Sequence, residues 1–74
     1  MIDANLCVAG QNIKAGHDVL FWAVDGKVYS HFGLNRSEGK LVGVAVENIR
    51  EGFRIAIKDG KVREVKWAMP EFFF

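Results

Sequence analysis

An all-β fold, a small β-barrel or sandwich built from two related turn-strand-hairpin units and ending in an aromatic C-terminal arm, is what this sequence predicts. Three observations predict it. The segment Val8-Ala9-Gly10-Gln11-Asn12-Ile13-Lys14-Ala15-Gly16 recurs as Val44-Ala45-Val46-Glu47-Asn48-Ile49-Arg50-Glu51-Gly52, with Val, Ala, Asn, Ile and the final Gly identical. Each copy continues through an apolar stretch to the same tetrapeptide, Asp25-Gly26-Lys27-Val28 or Asp59-Gly60-Lys61-Val62, once a two-residue gap is allowed. A helix is poorly supported anywhere, because the one helix-like stretch, Val46–Glu51, is too short and glycine-bounded to be more than a turn. Two separated blocks matching in the same order make coincidence a weak explanation.

The elements follow in chain order. Asn-Ile-x-x-Gly before each first strand reads as a turn in which Ile13 or Ile49 plugs the core, while Gly16 or Gly52 supplies a tight or left-handed backbone. Asp-Gly between β-rich runs is a strong hairpin signal, since a type I′ turn needs positive φ at both central residues. It pairs Val19–Val24 with Lys27–Phe32 and Phe53–Lys58 with Lys61–Trp67. In the second hairpin Phe53, Ile55 and Ile57 alternate with Arg54, Ala56 and Lys58, which predicts one buried face. Gly33–Gly39 reads as an exposed, mobile polar loop. Lys40–Val46 is almost continuously apolar and predicts a central strand buried on both faces.

Composition narrows the functional classes. A chain of 74 residues makes one domain near the lower limit of what one core stabilises alone, so a supplementary staple is expected. The single cysteine, Cys7, flanked by Leu6 and Val8, cannot form an intrachain disulfide and reads as a small buried hydrophobe. His17 and His31 lack a nearby Cys or a carboxylate cluster, so no zinc-ligand spacing exists. Oligomerisation is the staple left by elimination. Ten basic and nine acidic residues are interspersed for a net charge of +1, which is not the basic footprint of a nucleic-acid binder. No apolar run is long enough for a membrane span, and the start Met1-Ile2-Asp3 does not resemble a signal peptide; a soluble, unsecreted protein made in a reducing cytosol is expected.

Catalytic chemistry finds no foothold. Ser30 and His31 are adjacent and point to opposite faces of a strand, so they form no direct nucleophile-base pair. Asp25 and Asp59 are explained by turn chemistry, and no phosphate-cradling glycine loop precedes a helix. Phe21, Trp22, Tyr29 and Phe32 read as core aromatics, with base stacking on a small barrel as the competing reading. No catalytic residue, metal ligand or cofactor is assigned. Lys66–Phe74 differs from the rest: large apolar residues at a chain end need cover, and Pro70 stops strand pairing. The domain is therefore placed at residues 1–66 and an aromatic arm at 67–74. Within the arm, Trp67, Met69, Phe72, Phe73 and Phe74 are the candidate interface residues, either capping their own domain or docking on another chain.

The stretch Ala9-Gly10-Gln11-Asn12-Ile13-Lys14-Ala15-Gly16-His17-Asp18-Val19, then Asp25-Gly26-Lys27-Val28-Tyr29, then Gly43-Val44-Ala45-Val46-Glu47-Asn48-Ile49-Arg50-Glu51-Gly52, resembles the small capsid decoration, or cement, proteins of tailed bacteriophages. The likeness spans residues 8 to about 66 and leaves out the aromatic arm. It implies a compact β-barrel homotrimer on the outer surface of an icosahedral head, made in the host cytoplasm and clamping neighbouring major capsid protein subunits. It implies no enzyme activity and no cofactor. A small barrel binding nucleic acid, and a module binding a small ligand or carbohydrate in an apolar pocket, are the alternatives.

Overall fold

Turns placed every few residues keep the strands of this protein short. The computed structural model describes residues 4–65, and over that range the chain is all-β, with no helix among the described residues. Strands β1 (Asp18–Trp22), β2 (Lys27–Ser30), β3 (Lys40–Ala45), β4 (Ile55–Lys58) and β5 (Lys61–Glu64) form one mixed sheet in the order β2-β1-β3-β5-β4. Only the β3–β5 pairing is parallel.

The sheet is not closed into a barrel, which corrects the barrel expectation. The N-terminal segment comes nearest to closing it: Val8 bridges Arg54 beside β4, and Ala9 bridges Val28 on β2. Each contact is a single bridge, because the chain turns away after Ala9 before a ladder can grow. The segment still occupies backbone groups along both edges, taking the Val28 amide on Val8 O (3.0 Å) and giving the Ala9 amide to Phe53 O (2.9 Å). Leu6 extends this strap in the left-handed region at φ 69°, held by its amide on Ile55 O (2.8 Å) and by Arg54 Nη1 on its carbonyl (2.9 Å).

The two Asp-Gly hairpins differ. Lys58 pairs with Lys61, leaving a two-residue loop with Asp59 at φ 55° and Gly60 at φ 74°, the type I′ turn expected. In the first hairpin Trp22 pairs with Lys27, so Ala23-Val24-Asp25-Gly26 form a four-residue loop closed by the Gly26 amide on Trp22 O (2.9 Å). Ala23 and Val24 are the two residues that the first copy has and the second lacks. They move the register: Val19 faces Ser30, not Phe32.

The Asn-Ile-x-x-Gly turns lie against each other. Ile13 and Ile49 exchange backbone hydrogen bonds in both directions (2.8 and 2.7 Å). The Ala15 amide donates to Asn48 Oδ1 (2.9 Å), and the Glu51 amide donates to Asn12 Oδ1 (2.8 Å). Each asparagine therefore caps the turn of the other copy. Gly16 and Gly52 sit at φ 92° and 88°, in the left-handed region as expected. Ile13 and Ile49 are both fully buried in a core that also takes the matched pairs Ala9 with Ala45, Val19 with Ile55, and Val28 with Val62.

Strand β3 is central, but among the described residues it is covered on one face only: Ala45 is buried, while Leu41 and Val44, with Val46 just beyond, are exposed. Among the described residues the cover over the second face reaches Leu20, through Leu34 and its loop, and stops short of Leu41 and Val44, so the expectation that both faces are buried is not met there. Gly43 explains the glycine of the Gly-Val-Ala segment, since a Cβ there would stand 2.4 Å from Gly60 O. The Gly33–Gly39 loop is exposed except at Leu34, which folds onto the sheet and flanks Gly39 together with Leu20. Leu34 anchors the loop expected to be free. Cys7 is half-buried and packs against the core.

Truncating either buried isoleucine, Ile13→Ala or Ile49→Ala, is expected to cost about 2–5 kcal/mol. That is most of the stability of a domain this small. Asn12→Ala or Asn48→Ala, each removing one turn-capping acceptor, is expected to cost about 1 kcal/mol. Urea unfolding followed by circular dichroism measures both, and equal losses for all four would contradict this ranking.

Candidate interaction surface

Period-two alternation assigns the side chains to two faces. Val19, Phe21, Val28, Ser30, Ala45, Ile55, Ile57, Val62 and Glu64 point to the core side. Leu20, Tyr29 and Leu41 stand in one cross-strand row on the outer side, and Asp18, Val44, Lys61 and Lys58 in another. The outer face is half covered. Over β1, Leu34 and the loop bury Leu20 to 1% exposure, and Trp22 meets Tyr29 edge to face at 5.9 Å. Over β3, β5 and β4, no described segment covers Leu41 (58% exposed), Val44 (41%) or the neighbouring Val46 (38%).

The uncovered half is positively charged. Lys58 lies directly opposite Lys61, and Arg63 lies opposite Ala56 on the same face. Like charges facing one another across a strand pair destabilise it. The acidic residue of β5, Glu64, points the other way and is buried. There it accepts the Arg50 amide (2.8 Å), Nε (3.0 Å) and Nη2 (2.9 Å), while the Arg50 guanidinium stacks on Phe53 at 3.9 Å. Glu64 holds the guanidinium still more firmly protonated than usual, and the buried carboxylate is thereby compensated.

Asp25 is tied into the tip of the first hairpin. Tyr29 OH donates to Asp25 Oδ2, and Asp25 Oδ1 caps the Lys27 amide at 3.0 Å. The hydrogen bond from Tyr29, helped by that amide and the charge of Lys27, holds the Asp25 carboxyl below its ordinary value against the opposing effect of desolvation. The same bond raises the Tyr29 phenol, and the carboxylates of Asp25 and Glu51 add to the rise. Val24, beside Asp25, is 78% exposed.

The histidines come together where spacing gave no hint of it. His17 and His31 rings are 5.6 Å apart, and Phe32 packs on both, at 4.5 and 4.2 Å. Ser30 is paired with His17, not with His31: His17 Nδ1 is 2.9 Å from Ser30 Oγ, which also accepts the Phe32 amide at 3.1 Å. His31 Nδ1 instead accepts the Asp18 amide at 3.1 Å. Ser30 is 2% exposed, so its hydroxyl pins the strand end and is not presented to a substrate. Sequence reasoning missed this cluster because a two-residue first turn would have placed Phe32, not Ser30, opposite Val19. Phe32 itself is 73% exposed, not a core aromatic.

Between the two Asn-Ile turns lies an open cleft of about 320 Å³ lined by Asn12, Ile13, Lys14, Asn48, Ile49 and Arg50. Its asparagine oxygens and its arginine are engaged within the fold, which leaves Lys14 as the lining charge without an ion pair among the described residues. No group of three His, Cys, Asp or Glu side chains is placed to hold a metal ion among the described residues. No helix among them is long and apolar enough to cross a membrane. The arm candidates Trp67, Met69, Phe72, Phe73 and Phe74 lie outside the described residues. Comparison with models of protein families, with curated proteins and with solved structures finds no match.

The Tyr29–Asp25 bond makes a pH prediction. Its carboxylate contributes stability above the unfolded aspartate value of about 3.9, and this is lost as pH falls through the lower folded value. Its phenol contributes below the unfolded tyrosine value of about 10, and this is lost as pH rises through the higher folded value. Carboxyl NMR titration should find Asp25 below the ordinary aspartate value in the native chain and shifted upward, toward that value, in Tyr29→Phe. An unchanged Asp25 titration in that variant would show that the bond is not formed in solution.

Proposed function

We propose that this chain is a structural binding protein that works by self-association and attachment, of the kind that decorates a viral head. In this reading it assembles as a homotrimer, sits on the outer surface of the virion after synthesis in the host cytoplasm, and clamps neighbouring major capsid protein subunits. It is read as two related turn-strand-hairpin units. The supporting features are the reciprocal bonds of Ile13 with Ile49, the crossed caps of Asn12 and Asn48, and the matched core pairs. No catalytic step, cofactor, nucleic acid or membrane enters the proposal. The aromatic residues Trp67, Met69, Phe72, Phe73 and Phe74 are assigned to the interface, and the Gly33–Gly39 loop is the alternative contact.

One observation carries the binding part of the reading: a central strand and the residue just beyond it display Leu41, Val44 and Val46 on a face that no described segment covers, in a domain with little core to spare. Contiguous exposed aliphatic side chains of this kind mark interaction surfaces. Attachment through several linked sites raises avidity by about 10²–10⁴ when the geometry permits simultaneous engagement, and it needs no reactive group.

Sedimentation equilibrium of the full chain at micromolar concentration should give a mass about three times the 8.3 kDa of one chain. Val44→Ser with Val46→Ser should lower the association constant at least tenfold with the β spectrum unchanged. A stable monomer at all concentrations would remove self-association from the proposal. If a major capsid protein gene neighbours this one, heads assembled from that protein should bind the chain and disassemble at a higher temperature; no co-sedimentation would remove the capsid assignment.

A further inference from the structure

We propose that the His31 ring is an acid-released latch at the open end of the β1–β2 pair. In a continuing antiparallel ladder the Asp18 amide would donate to the carbonyl of the residue opposite it. The register that sets Val19 against Ser30 puts His31 in that position, and the His31 amide does donate to Asp18 O (3.0 Å). Strand β2 stops at Ser30, however, and the Asp18 amide goes to His31 Nδ1 (3.1 Å). A side chain has taken the place of the backbone. An amide has only a proton to give, so Nδ1 holds a lone pair, which makes the ring neutral with its proton on Nε2. A second proton would go to Nδ1 and set one donor against another, so this bond and a charged ring exclude each other.

What the latch holds is set by its neighbours. The Asp18 carboxylate is paired with Arg36 of the Gly33–Gly39 loop, so the residue whose amide is latched also tethers that loop. On its other side Asp18 pairs with Val44 of β3. Opening the latch therefore loosens the loop while β1 stays held to β3. The charged and titratable groups around the ring are His17, 5.6 Å away between centroids, and the Asp18–Arg36 ion pair. Glu38, the other charge of the loop, accepts from Asn35 within it, and Phe32, packed on the ring at 4.2 Å, is neutral. His17 does not share the role of His31. Its Nδ1 faces Ser30 Oγ (2.9 Å), and a hydroxyl donates to a bare ring nitrogen as readily as it accepts from a protonated one. Acid therefore breaks the contact of His31 and spares that of His17. The loop is the alternative contact in the function proposed above, and the latch gives it a response to pH that does not depend on how the chain assembles.

Heteronuclear NMR of the isotope-labelled full chain tests the latch, taken from about pH 7.5 to about pH 5, the range in which a histidine ordinarily charges. At the upper end the ring spectrum should show His31 as the Nε2–H tautomer. As that ring charges, exchange protection of the Asp18 amide, corrected for the intrinsic rate, should fall at least tenfold. The Arg36 side chain and the amides of the Gly33–Gly39 loop should move with the same midpoint. Asparagine sets a carbonyl oxygen where histidine has Nδ1 and takes up no proton, so His31→Asn should keep the Asp18 amide protected across the whole range. His17→Asn should leave the acid response of Asp18 in place. Circular dichroism reports folding, and the titration of the native chain stands on its own if a variant does not fold. A proton on His31 Nδ1 at neutral pH, an Asp18 amide whose protection is unchanged as His31 charges, or an acid response that persists in His31→Asn overturns the latch. A loop that stays fixed while Asp18 opens overturns the tether.

Discussion

The fold hangs on the place where Ile13 and Ile49 exchange backbone hydrogen bonds. Neither turn completes itself: each draws a side-chain acceptor from the asparagine of the other, and each places its isoleucine in the core beneath. A buried backbone pair left unmade would cost more than the pair contributes when made, so the two turns hold each other to one geometry. Once they are fixed, β1 and β4 leave them in set directions, and β3 lies where it can pair antiparallel with β1 and parallel with β5. Such contacts between distant parts of the chain replace the local helical contacts that the sequence does not provide.

Matched positions need not be solved with the same chemistry. Ser30 and Glu64 occupy corresponding places at the ends of β2 and β5, and both are buried polar residues. Ser30 is satisfied by a histidine ring nitrogen and an amide, whereas Glu64 takes an arginine fork and an amide. Burying a polar group is tolerated only when it is hydrogen-bonded, and a buried charge demands an oppositely charged partner as well. The serine therefore sits beside a histidine and two aromatic contacts, and the glutamate beside an arginine held over Phe53.

The same economy shapes the surface. One layer of strands has two faces, and the described residues cover one face and part of the other. Leu34 covers the outer side over β1, and the N-terminal strap occupies the edges. The described residues leave the outer side of β3, β5 and β4 with aliphatic residues, lysines and Arg63. Occupied edges discourage indiscriminate strand pairing, so the bare face is a more selective place for contact. The proposed function draws on that asymmetry.

By itself the sequence determined the all-β class, the left-handed glycines of the turns, the buried isoleucines and the tight second hairpin, because each depends on a local backbone preference or on a strand's period of two. The Asn-Ile repeat was legible as a turn, but that Asn12 serves residue 51 and Asn48 serves residue 15 was not, since the partner of a hydrogen bond across the fold leaves no trace in local spacing. Tertiary structure alone decided the four-residue first loop, whose register brings His17, Ser30, His31 and Phe32 together. It alone left the sheet open, anchored the loop through Leu34, and, among the described residues, covered only one side of a strand whose apolar run gave no sign of which face that would be. Burial is a property of what comes to lie opposite a side chain, and only the folded chain supplies the opposite surface.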